Sequence, residues 1–177
     1  MKTKLFQLFV VLLLLGLGAA SCCQNPQNDD AAKQHTNVIL KDYGAEPAAL
    51  DIDAYTLSNN NFRTALWTGT QLQVTLMSIP VGGDVGLEQH PDTDQFLRIE
   101  EGQGRVMMGD SEESLTFVQD VGKDFAIFVP AGVWHNLINI GDKPLKLYSI
   151  YSPVEHPHGT VHKTQEESEE AEHHHHR

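Results

Sequence analysis

Between residues 61 and 151 the chain alternates apolar and polar residues in short runs, and no helical period of about twelve residues competes with them. In residues 71–79, Leu72, Val74 and Leu76 recur at every second position, and Leu115 with Phe117 and Leu145 with Leu147 repeat the spacing. Side chains alternate faces along a strand, so each such set belongs to one face. Turn residues punctuate the stretch at Thr68-Gly69, Gly82-Gly83-Asp84, Gly102-Gln103-Gly104, Gly109-Asp110, Ala131-Gly132 and Gly141-Asp142. Six to ten short strands at regular spacing predict an all-β sandwich or barrel, and 177 residues leave room for one such domain.

The two ends follow other rules. Lys2 and Lys4 precede an apolar run at residues 5–17, and Gly18, Ala19, Ala20 and Ser21 lead into Cys22. A basic start, a short apolar stretch and small residues before a cut predict an export signal over residues 1–21, too short for a comfortable membrane span. The small residues running into Cys22 resemble the lipobox of bacterial lipoproteins, although Ala19 stands where Leu is usual. That resemblance implies lipidation at Cys22 and anchoring in the cell envelope; secretion without a lipid and a retained anchor helix are the alternatives. Residues 22–35 are polar and suit a flexible tether, which leaves 36–162 for the domain and 163–177 for an acidic, His-rich tail. Thr164 and Glu167 are spaced to cap a short helix in that tail, but a helix polar on all sides is expected to fray.

Lys and Arg number 12 against 24 Asp and Glu, and removal of residues 1–21 would take away two positive charges and no negative ones. Such a balance repels phosphate backbones, so nucleic acid is a poor partner. Cys22 and Cys23 are the only cysteines, which excludes a disulfide, a thiol nucleophile and a cysteine zinc site from the domain. The GK[ST] of a phosphate loop and the GxSxG of a serine hydrolase are both absent.

Of ten histidines only His90 and His135 fall in the β region. Residues 83–102 place Glu88, His90, Gln95 and Gly102 in series, and Pro130, Gly132, His135 and Asn139 form a second series. These series resemble the two motifs of the cupin superfamily over about residues 60–151. The first motif departs from the family pattern: Glu88 stands at the first histidine position and Gln95 at the glutamate position. The second fits PxGxxHxxxN without gaps. The resemblance implies a single-domain jelly roll and a divalent metal, Fe, Mn, Ni or Zn, held by Glu88, His90 and His135 with the Gln95 carbonyl oxygen assisting. Two imidazoles and one carboxylate suit facial-triad iron sites. Glu88 and His90, two apart on a strand, would face the barrel together. Small cupins of this kind also resemble the cupin portion of mannose-6-phosphate isomerases, an activity that ill suits an exported chain without an obvious phosphate clamp.

Three functional readings stay open. The first is a metal-dependent protein that binds or transforms a small polar molecule, as a dioxygenase-like oxidoreductase or an isomerase, with Glu88 as general base if it is not a ligand. The second is a metal-free binding or sensing module, and the third is a structural protein that pairs as a homodimer through its sheet. Asp94 is a rival to Gln95 with opposite facing. His156, His158 and His162 offer a second metal site, though Pro157 and Gly159 suggest an irregular crossover there. His173, His174, His175 and His176 would bind transition metals weakly. Tyr148, Tyr151 and Trp134 read as core or interface aromatics, and Arg63, Arg98 and Arg105 as surface pairs, one of which would select an anionic ligand if it lined the pocket.

Overall fold

The computed structural model describes residues 37–175, with side chains through residue 171. The export signal at 1–21, the lipidation site Cys22, the tether at 22–35 and His176 lie outside the described residues. Everything described belongs to one compact unit.

The elements run α1 (Ile52–Ser58), β1 (Arg63–Thr68), β2 (Gln73–Ile79), β3 (Asp94–Glu101), β4 (Gln103–Gly109), β5 (Phe117–Gly122), β6 (Ala126–Val129), β7 (Trp134–Asn139), β8 (Leu145–Ser152), β9 (Val161–His162) and α2 (Gln165–His175). Six strands form one sheet in the order β6-β3-β8-β2-β1-β9, and three form the other, β5-β4-β7. Every pairing is antiparallel. This is the all-β jelly roll that the alternation and the turns predict.

The alternation does not say which face of a strand looks inward when both are covered. Leu76 is buried, but together with Tyr55 and Leu66 under the segment that includes Val38, Tyr43 and Ile52, while Leu72 is exposed. The inner face of β2 is Gln73, Thr75, Met77 and Ile79. Gln73 pairs with Tyr151, which pairs with Gln95; one row down, Thr75 meets Ser149 and Leu97; below that, Met77 meets Leu147 and Ile99. The interior is therefore graded, polar at one end and apolar at the other. Leu145 and Leu147 lie in the apolar half as their spacing predicts. Phe117 does not: it is exposed, because β5 is a sheet edge whose contribution to the apolar core is Val121.

The tail also departs from expectation. Residues 165–175 form α2 although they offer no apolar face. Glu167 N–H donates to Thr164 Oγ1 at 3.4 Å, and Lys163 N–H donates to Glu167 Oε2 at 2.6 Å, a reciprocal cap that satisfies two donors at the helix start. Arg63 Nη1 donates to the buried Ser168 Oγ at 2.6 Å, so a polar contact docks the helix where an apolar stripe would otherwise do so. No helix among the described residues is long and apolar enough to cross a membrane.

Candidate metal centre

Glu88 and His90 are not carried on a regular strand as their spacing suggests. Glu88 makes an isolated bridge to His135 of β7, with Glu88 N–H donating to His135 O at 3.0 Å and His135 N–H to Glu88 O at 2.9 Å. His90 is held by the β6–β7 turn, where Gly132 N–H donates to His90 O at 2.8 Å and Gln89 Nε2 to Gly132 O at 2.9 Å. Gly132 takes φ 79°, a left-handed conformation that glycine adopts without a Cβ penalty. Asp94 fixes the same turn by accepting from Ala131 N–H at 2.9 Å, so its side chain is engaged on the surface, away from the interior. Asn139 pins the far end of the barrel, donating from Nδ2 to Ile79, Pro80 and Lys143 carbonyls. The second motif thus aims one ligand and ties two turns.

The side chains converge although the backbone is irregular. Glu88 Oε1 lies 3.4 Å from His90 Nε2 and 3.3 Å from His135 Nε2. Ligand atoms of the three residues all fall within 4.8 Å of one another. Each imidazole is oriented from behind: His135 Nδ1 lies 3.0 Å from Val133 O, and His90 Nδ1 lies 3.1 Å from Glu155 Oε1. Acceptors at Nδ1 place the proton there and leave the Nε2 lone pair for a metal, the usual support of a histidine ligand. Both Nε2 atoms are buried without a hydrogen-bond partner, which a bound cation would cure. Gln95 Nε2 donates to Ser149 Oγ at 3.0 Å, and its Oε1 is likewise buried and unpartnered. The residues present therefore fit a divalent ion.

Burial raises the Glu88 carboxyl, yet the His135 and His90 imidazoles beside it and the charge of Arg63 outweigh it and hold the group far below the usual carboxylate range. Burial likewise lowers His90, but Glu155 and Glu88 together lift it to about 9. Hydrogen bonding to His90 overcomes burial to keep Glu155 low. Tyr151 is pushed up to about 12, chiefly by burial.

A cavity of about 510 Å³ opens in front of the triad, bounded by Glu88, His90, Glu155, His156, Thr160 and His162 among others. This volume suits a small molecule. A larger cleft of about 930 Å³ beside Leu57, Lys123 and Asp142 has no imidazole in its lining. The alternative of a second metal site on His156, His158 and His162 is not assembled: His156 and His162 line the cavity of the first, whereas His158 points to the surface, 3.7 Å from Asp42. Among the described residues the metal-suited cluster is Glu88, His90 and His135. Arg105 pairs with Asp120 on the surface, and half-buried Arg98 pairs with exposed Asp124 and with the buried Glu100. Arg63 corrects the surface reading, being 1% exposed in the interior. Tyr148 and Trp134 are half-buried. Tyr151 is buried as a core aromatic should be, but against His90, with ring centroids 5.7 Å apart. Sequence reasoning had no role for Glu155 and set His156 in a different site; the EHPHGTVH stretch carried the signal, and the chain folds it over the triad.

Fold and site together define a cupin, and the chain belongs to that family. The cupin domain pattern matches residues 75–151. The chain is 58% identical over 136 residues to YrkC of Bacillus subtilis (strain 168), across 77% of this chain and 73% of that protein. It is 37% identical over 107 residues to L612 of Acanthamoeba polyphaga mimivirus, across 60% and 65%. The crystal structure of BH2720 from Bacillus halodurans is 55% identical and superposes with a TM-score of 0.73 over 73% of this chain and 98% of that one.

Proposed function

We propose that the protein holds one divalent transition metal on Glu88, His90 and His135, with Gln95 Oε1 as a fourth donor, and that it binds or transforms a small polar organic molecule in the cavity alongside. The observation that carries this reading is the pair of imidazoles, each engaged at Nδ1, whose unpartnered Nε2 atoms approach one carboxylate. Such a donor set takes Fe(II), Mn(II), Ni(II) or Zn(II) and leaves positions for a ligand. Bound there, the ion would polarise a carbonyl or hydroxyl oxygen. Glu88 serves better as ligand than as general base, because a carboxylate held so acidic accepts a proton poorly near neutral pH. The competing metal-free module has one observation in its favour: protonated His90 between Glu88 and Glu155 balances charge in the site without an ion.

Metal content decides between them, measured on the full chain with residues 173–176 changed to Asn so that the tail cannot bind. About one ion per chain is expected, lost in His135→Ala and retained in Gln95→Ala. Less than about 0.1 per chain after refolding with each of the four metals would remove the metal reading. Location is a separate proposal, supported by Lys2, Lys4, the apolar run and the small residues before Cys22. The chain is exported and anchored through a lipid on Cys22. Incorporation of labelled palmitate that persists in Cys22→Ser would contradict it.

A further inference from the structure

The outer face of the larger sheet carries an apolar row that the described residues leave partly open. In register across five neighbouring strands stand Phe128 of β6, Phe96 of β3, Ile150 of β8, Val74 of β2 and Trp67 of β1. Phe128 is 69% exposed and the other four are half-buried. At a strand spacing of about 4.8 Å the row is about 19 Å long. Single exposed apolar residues are ordinary, whereas a contiguous set marks a place of contact. The two ends of the row differ in shape. At the β6 end Phe128 stands up as a knob, braced by Phe96 at 5.3 Å between ring centroids. At the β1 end the row sinks into a groove of about 450 Å³, walled by Pro47, Leu50, Leu66, Trp67, Leu72 and Val74 among others. Trp67 Nε1 donates to Glu46 O at 2.8 Å, which satisfies the polar edge of the indole and fixes that wall.

Charge and shape together select the occupant. None of the residues lining the groove is charged. Asp94 and Arg98, two positions either side of Phe96 on β3, are already engaged, the first by Ala131 N–H and the second by Glu100 and Asp124. A chain with a formal net charge of -12 would draw a basic partner through free carboxylates, and the row offers none. A lipid surface would take up the knob and leave the groove unfilled. A second copy uses both. A two-fold axis running along β8 over Ile150, midway between two facing sheets, turns each row end for end and sets each Phe128 opposite the other groove. The contact is then self-complementary, and the facing strands stay roughly aligned as stacked sheets prefer.

We propose that this face is the contact between two copies of the chain, with Phe128 of each protomer seated in the Trp67 groove of the other. The row lies on the outside of the sheet, so the proposal stands apart from the metal reading. Sedimentation of the full chain in reducing buffer tests it. Dimers are expected at micromolar concentration. Phe128→Lys and Leu72→Glu, both at exposed positions, should each weaken association by about tenfold or more and leave the thermal midpoint unchanged. An equimolar mixture of the two variants should form dimers again, because one seat then sets an ammonium against a carboxylate and the other keeps the native pair. Monomeric native protein would overturn the proposal, including monomers that bind neutral phosphatidylcholine vesicles through Phe128. Dimers indifferent to both substitutions, or a mixture no more associated than either variant alone, would overturn it as well.

Discussion

At His90, burial and two carboxylates pull in opposite directions, and the carboxylates win. A histidine raised from its ordinary value of 6.5 to about 9 stabilises the metal-free fold fully below pH 6.5, and this contribution disappears as pH rises through about 9. Its size is on the order of 3 kcal/mol, because each tenfold gain in proton affinity is worth about 1.4 kcal/mol. Denaturation in EDTA should show that loss between about pH 6 and pH 9.5, and His90→Gln should flatten it. Metal reverses the dependence, because an ion must displace the proton: affinity for Mn(II) or Ni(II) should climb about tenfold per pH unit below 9. Glu155→Gln, which removes the charge behind His90 Nδ1, should weaken metal binding by about 10- to 100-fold in a calorimetric titration without unfolding the chain. His90 and His135 were legible in the sequence because motif spacing marks them. Glu155 was not, because its contact spans 65 residues of chain that only the fold closes.

Among the elements, β2, β3 and β8 do most to set site and core apart, with rows of paired residues that pass from Gln73, Tyr151 and Gln95 to Met77, Leu147 and Ile99. Local alternation exposed β2 and β8 to a sequence reading but did not say which face looks inward, since α1 and the chain before it cover Leu76 from outside. Period alone cannot separate two covered faces; that choice is made by what packs on each. In the apolar rows, Leu147→Ala should cost about 2–5 kcal/mol in urea denaturation and leave metal stoichiometry intact. The β6–β7 turn behaves otherwise. Gly132→Ala forces a Cβ into φ 79° with no neighbour within 4 Å, so its cost of about 1 kcal/mol is conformational. It should show mainly as weaker metal binding, because Gly132 N–H holds His90 O.

Across the whole molecule, segments far apart in the sequence come together. α2 brings Ser168 onto Arg63 of β1, and the 152–162 crossover brings Glu155 and His156 to the cavity beside Glu88 and His90. A polar contact replaces the apolar stripe that a sequence reading looks for, which is why α2 was expected to fray. Fold class and the three residues of the candidate metal cluster were visible from period and motif; the groups facing them were not, being supplied by segments without a period. The position of a bound metal is the most direct test. Crystals of the full chain soaked in Mn(II) and measured for anomalous scattering should show one strong peak bounded by Glu88 Oε, His90 Nε2 and His135 Nε2. No peak there, or a dominant one between His156 and His162, would contradict a metal centre on the triad.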